Sequence, residues 1–214
     1  MDTPSATSRT ADTVDTSQPA IGPAPARDRL LAAARELLAE VPVERITVRT
    51  IAARAGVRHA TITHHYGSRA GLLAIAIGAT LIDLADAITH APDIHTAVRG
   101  AFHHLLQQPG LTSAIGVVTM GSNTVEQREG FPVVDAFTAH LEAAGAPPER
   151  ARDRAATITM MIFGWVGAEA RWLRMGGHAD DPTTGRYEFL QTLLGVVDDA
   201  IHGRPTRKRQ PAPA

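Results

Sequence analysis

Apolar positions recur along this chain of 214 residues at helical spacing, and no stretch alternates as a strand would. From Arg27 they fall at Leu30, Leu31, Ala34, Leu37, Leu38 and Val41, the stripe of an amphipathic helix that Pro42 interrupts. Thr47 then stands as the N-cap of a short helix with Val48, Ile51, Ala52 and Ala55 on its inner face, and Gly56 stops it at a position suited to positive φ. A third short helix is predicted from Arg58 to Tyr66, with Ile62 and Tyr66 turned inward. Ser68 caps a long fourth helix through Leu72, Leu73, Ile77, Leu81, Leu84 and Ile88, and Pro92-Asp93 opens a fifth that reaches Gln107. Further helices are predicted at Gly110 to Met120, at Phe131 to Ala144, as one long rod from Pro148 to Met175 ended by Gly176-Gly177, and from Thr184 to Ile201. The expected fold is all-α, with about nine helices: three in an N-terminal unit and six after it.

Two short helices meeting at a glycine turn behind a supporting helix make a helix-turn-helix, whose last helix can lie in a DNA major groove. The run Ile51-Ala52-Ala53-Arg54-Ala55-Gly56-Val57, then Ala60-Thr61-Ile62, then His65-Tyr66-Gly67-Ser68-Arg69, then Leu72-Leu73, resembles the DNA-binding domain of the TetR family of bacterial repressors. The resemblance spans residues 27–73 and keeps both order and spacing. It departs from the family at three places. Arg58 stands where a Ser or Thr usually caps the recognition helix, Thr63 where a phosphate-binding Tyr is frequent, and Ala70-Gly71 where an acidic pair is usual.

Carried onto this chain, the resemblance implies that Arg58, His59, Thr61, Thr63 and His64 face the bases, with Ala60 small enough to let the backbone approach. It places Thr47 and Arg49 at the start of the second helix against DNA, and Arg69 where the family usually has a phosphate-binding Lys. It further implies homodimerisation through the last two long helices as a four-helix bundle, and a small-molecule pocket in the helical domain.

Charge sharpens the picture. The chain as a whole carries a net −1, but residues 27–73 hold eight Arg against four acidic residues, a local +4, while 74–214 carry −3 and 1–26 carry −2. Positive charge lies where phosphate binding requires it. The segments 1–26 and 203–214 are rich in Thr, Ser, Asp, Pro and Ala with almost nothing apolar, and are expected to be disordered tails around a head at 27–73 and a body at 74–202. The C-terminal tail carries a basic knot, Arg207-Lys208-Arg209. No cysteine is present, which excludes disulfides, Cys-ligated zinc and thiol catalysis. The apolar stretch from Ala155 to Ala168 is too short to span a bilayer, and no signal-peptide pattern precedes the head, so the expectation is a cytoplasmic protein without membrane contact.

The rod from Pro148 to Met175 is apolar nearly all round between Ala155 and Leu173. One stripe, Met160, Gly164, Gly167 and Arg171, is small in the middle and suits close helix approach. The opposite stripe, Ile158, Met161, Trp165, Glu169 and Trp172, is bulky and reads as facing the interior. An apolar pocket with one or two polar groups is the usual form of a small-molecule site, and Phe102, Met120, Asn123, Met161, Trp165 and Glu169 are the candidates to line it. Ten histidines raise the question of a metal, yet His103-His104 and His64-His65 are adjacent and diverge by about 100° on a helix. His90 and His95 flank a loop; no metal or cofactor is expected. The sequence has no nucleophile elbow, phosphate-cradling glycine loop or spaced carboxylate pair, so it does not read as an enzyme. The reading is a homodimeric, ligand-released repressor of a pseudo-palindromic operator in double-stranded DNA, with a small apolar effector. The alternative is an all-helical small-molecule-binding protein or enzyme that keeps a vestigial helix-turn-helix.

Overall fold

The computed structural model describes residues 25–114 and 131–202. Among these residues there are ten α-helical segments, one 3-10 turn and no strand: the class is the all-α one that the apolar spacing predicts, with ten helices against the nine expected. In order they are α1 (Ala26–Glu40), the 3-10 turn (Val43–Arg45), α2 (Val48–Ala55), α3 (Ala60–Tyr66), α4 (Arg69–Thr89), α5 (Ile94–Leu106) and α6, described over 109–114. Then come α7 (Pro132–Ala143), α8 (Pro148–Gly167), α9 (Glu169–Met175) and α10 (Pro182–His202). The two tails lie outside the described residues except for Pro25 and Ala26, and Ala26 already opens α1.

Local chemistry sets the helix ends. The Thr47 hydroxyl accepts from the Thr50 backbone N–H at 3.1 Å, and the Thr50 hydroxyl accepts from the Thr47 N–H at 2.8 Å, a reciprocal capping box for α2. Gly56 ends that helix in the left-handed region at φ 63°, ψ 39°, which a side chain would strain. Ser68 caps α4 through the Gly71 N–H at 3.0 Å, and Asp93 caps α5 through the Thr96 N–H at 2.8 Å. The Thr96 backbone N–H and hydroxyl hold the Asp93 carboxyl below its ordinary pKa.

Two hydrophobic cores result. Leu30, Leu38, Ile46, Ile51, Ile62 and Leu72 build the first, beneath α1 to α3 and the start of α4. Leu84, Ile88, Val98, Phe102, Leu105, Phe137, Ile158 and Leu193 lie in the second. Helix α4 runs from one to the other, and Ile77 packs against both. By length and composition α4 could cross a membrane, and it is longer and more apolar than the 155–168 stretch singled out from the sequence. Helix α1 covers one part of α4 and α7 another, while Ile75 and Ile82 stay exposed.

The rod predicted from Pro148 to Met175 is not continuous. It breaks at Ala168, whose φ of −128° and ψ of 22° leave the helical region. The Ala168 N–H turns back to the Trp165 carbonyl at 3.1 Å, so the Gly164 carbonyl is left without its helical donor. The Trp172 indole N–H supplies the replacement at 3.3 Å. Gly164 and Gly167 are weak helix formers, and together with this side-chain substitute they lower the cost of the elbow between α8 and α9.

Candidate nucleic-acid interface and cleft

The apolar residues of the head form its core, and most of its polar residues are exposed. On α3, Ile62 is buried while Ala60, Thr63 and His64 are exposed and Thr61 is half-buried. Arg58 and His59, just before that helix, and Thr47 and Arg49 at the start of α2 are exposed as well. Helix α3 begins at Ala60 rather than at Arg58, and no side chain caps it, in keeping with an Arg where a Ser or Thr is usual.

The three helices are tied to one another by polar contacts at their rims. The Arg54 guanidinium of α2 reaches Glu40 at 2.8 and 2.7 Å and Glu36 at 3.2 Å, both on α1. These bonds hold the Glu40 carboxyl below its ordinary pKa and push that of Arg54 further up. The Tyr66 hydroxyl at the end of α3 donates to the Arg27 carbonyl at 2.8 Å, and burial raises the pKa of that phenol. Arg69 is placed differently from the other candidates. It is half-buried, and its guanidinium donates to the backbone carbonyls of Val43 and Ile46 in the connection between α1 and α2.

In the body, Phe102 and Trp165 come together, with ring centroids 5.3 Å apart. Phe189 of α10 completes the group, stacked on Trp165 at 4.8 Å and 16° and lying 5.6 Å from Phe102. Met161 is half-buried against the same core. Beside Trp165 opens a cleft of about 380 Å³ between the α8–α9 elbow and α10, lined among others by Trp172, Leu173, Met175, His178 and Phe189. The Glu169 carboxylate is bonded by Arg186 of α10 and so is not a bare acceptor. Met120 and Asn123 lie outside the described residues.

Three histidines of the body have separate partners. His95 Nε2 lies 2.8 Å from Asp198 of α10, His90 Nδ1 lies 2.7 Å from the Asp86 carbonyl, and His140 Nε2 lies 2.7 Å from that of Ile88. Among the described residues no three His, Asp or Glu side chains group as a metal site would need.

Residues 30–75 match the family described as bacterial regulatory proteins, tetR family. Solved structures share the architecture far beyond that segment. A TetR transcriptional regulator from Streptomyces coelicolor aligns over 84% of this chain and 99% of its own, at 20% identity and a TM-score of 0.58. One from Legionella pneumophila covers 80% and 99% at 17% identity and TM-score 0.57. This chain has the fold of a TetR-family transcriptional regulator. A TetR variant from Acinetobacter baumannii in complex with minocycline is similar over 80% of this chain and 93% of its own, at 21% identity and TM-score 0.56. No curated protein sequence matches the chain.

Within this TetR fold, the head residues singled out from sequence are exposed except Thr61 and Arg69, which are half-buried, whereas part of the cleft escapes sequence reasoning. Phe189 neighbours the inward face of α10 that Leu190, Leu193 and Val197 already mark, so that helix's period could have found it. Nothing local to His178 or Glu188, which pair at 3.0 Å at the cleft, announces that partnership.

Proposed function

We propose that this protein is a homodimeric transcriptional repressor that binds a pseudo-palindromic operator through α3 and leaves it when a small, mostly apolar molecule occupies the body. The observation that carries this reading is the surface of α2 and α3. Arg49, Arg58, His59, Thr63 and His64 stand exposed on one module with a local charge of +4, in a fold shared with TetR regulators. Thr47 and Ala60 are exposed with them, and Thr61 is half-buried on the same helix as Thr63 and His64. Exposed polar side chains at the recognition helix suit base edges, and arginines suit phosphates.

The dimer is assigned to α8 and α10. Met160 is 74% exposed on α8, and Gly164 and Gly167 are exposed with it, which leaves this part of α8 open to a second copy, while Arg171, also exposed, lies beyond the break on α9. A two-fold pair of heads must reach major grooves about 34–36 Å apart, so a modest rotation of the heads is enough to abolish operator binding. The effector site is assigned to Trp165 and its aromatic neighbours, with the cleft beside them as the entrance. The minocycline complex of the similar Acinetobacter protein supports a small molecule in a body of this fold. An effector selective for the released state shifts the balance by its differential affinity alone. With this function the protein acts in the cytoplasm and performs no catalysis.

A duplex enriched by the protein from a random-sequence pool tests the first half. Its affinity must fall steeply with salt, and binding that is weak and insensitive to both sequence and salt would refute DNA recognition. Tryptophan emission tests the second half, because Trp165 and Trp172 are the chain's two tryptophans and both line the cleft. A compound that frees the duplex while leaving emission unchanged would place the effector elsewhere.

A further inference from the structure

The segment between α1 and α2 is short, polar in its backbone and held by side chains from three directions. The Val43 N–H donates to Ser113 Oγ of α6 at 2.9 Å, and the Val43 carbonyl accepts from Arg69 of α4. The Ile46 carbonyl accepts from the same guanidinium, while the N–H of the next residue, Thr47, donates to Thr50 Oγ1 at 2.8 Å. The peptide that leads into α2 is thus fixed on both sides, and so is Val43. Ser113 is itself oriented by donating to the Gly110 carbonyl at 3.1 Å.

The start of α6 has little freedom. A Cβ on Gly110 would sit 2.5 Å from the Val41 carbonyl oxygen and 2.6 Å from that of Leu38, so the two helices meet backbone to backbone. Only glycine permits that approach, and it brings Ser113 of the body to the connection in the head.

Arg69 therefore has a use other than the one its place in the motif implies. A guanidinium presents N–H donors in a rigid planar fork and can hold two carbonyls at once, which a single ammonium on a flexible stem does not reproduce. Thr47 and Arg49 follow the held peptide directly and are both exposed. We propose that Arg69 and Ser113 are positioning residues for DNA binding. Together they lock the Val43–Thr47 connection, so that α2 presents Thr47 and Arg49 at a fixed angle, and Arg69 does this in place of a direct phosphate contact. The inference rests on the DNA-binding reading above, and it makes operator affinity depend on a hydroxyl that belongs to the body.

The test uses the full-length protein and the duplex it enriches from a random pool, with affinity measured by fluorescence anisotropy across a salt series. Arg69→Ala and Arg69→Lys are both expected to weaken binding by about tenfold, because two hydrogen bonds to the connection are removed, with the slope of affinity against salt unchanged. Ser113→Ala is expected to weaken it about threefold, and Ser113→Thr, which keeps the hydroxyl, to recover most of that. The double variant Arg69→Lys, Ser113→Ala should fall short of the product of the two, since both act on one segment. Wild-type affinity in Arg69→Lys, with Arg69→Ala lowering the slope by about 0.9 for each phosphate it no longer neutralises, would overturn the proposal in favour of direct phosphate binding. Undiminished affinity in Ser113→Ala would overturn the body's part in it. If the wild-type protein enriches no duplex, the DNA-binding reading itself falls, a result distinct from either of these.

Discussion

The head and the body of this molecule are built from the same material, amphipathic helices on an apolar core, yet they carry their candidate residues in opposite ways. In the head, the exposed candidates Thr47, Arg49, Arg58, His59, Thr63 and His64 come from eighteen consecutive positions on two helices joined by one glycine turn. In the body, Phe102, Trp165, Trp172, His178 and Phe189 come from α5, α8, α9, α10 and the α9–α10 connection. A local module carries its surface in its own sequence. A pocket assembled from distant elements exists only once they pack.

The contrast is broken most forcefully at the cores. Ile51→Ala in the head and Phe102→Ala in the body should cost about 2–5 and 3–5 kcal/mol respectively, since both side chains are 1% exposed or less. Urea unfolding followed by amide-exchange protection is expected to show Ile51→Ala loosening residues 26–76 more than the body, and Phe102→Ala the reverse. Equal loosening everywhere would mean that α4 welds the two cores into one cooperative unit.

A smaller effect separates the protomer's fold from its assembly. A Cβ added to Gly164 meets no group outside its own helix backbone within 4 Å, so a side chain can start there without a clash inside the protomer. The variant to make is Gly164→Leu. Sedimentation should show dimers giving way to monomers, with overpacking at the interface costing about 1–3 kcal/mol, while protomer helicity is kept. An unchanged dimer would move the interface off this face of α8.

Within the head, Arg58→Ala is expected to cost about 1–3 kcal/mol on the enriched duplex and to relax preference at one base pair, with thermal stability unaltered because the side chain is exposed. A uniform weakening across all sequences would reassign Arg58 to the phosphates.

The smallest effect is the acid response of the head. The Glu40 carboxyl, bonded by Arg54, has a folded pKa below its ordinary value of 4.5. A depressed carboxylate contributes stability that is fully present above the ordinary value and disappears as pH falls through the lowered one. Glu40→Gln should remove this part of the acid sensitivity while leaving neutral-pH stability almost unchanged, as expected for a solvent-exposed pair. A large drop at neutral pH would show the Arg54 clamp to be more than a surface contact.

What is legible in the sequence depends on range. The Thr47 cap, the positive φ at Gly56 and the Ser68 and Asp93 caps depend on groups within about four residues, and each is predictable from local chemistry. The inward stripe read through Ile158, Met161, Trp165, Glu169 and Trp172 is buried or half-buried as far as Glu169, but Trp172 lies beyond the break on α9 and is exposed. The break at Ala168 does not show in the spacing: Gly164 and Gly167 weaken the helix there, but the Trp172 indole that takes over the Gly164 carbonyl is seen only in the folded elbow. From the sequence Glu169 reads either as a carboxylate for a ligand or as the partner of an arginine, and only when α10 is laid beside α9 does that arginine prove to be Arg186.

By itself the sequence determined the all-α class, the helix-turn-helix, its basic charge and the side of α3 that faces outward, because periodicity, capping and net charge are properties of neighbouring residues. Tertiary structure alone decided that Arg69 grips Val43 and Ile46, that Ser113 reaches the head from the body, and that Trp165 stacks on Phe189 rather than on a residue of its own helix. Each of these pairs groups separated by tens of residues in sequence, and whether such groups meet depends on how the helices cross, which no local pattern encodes.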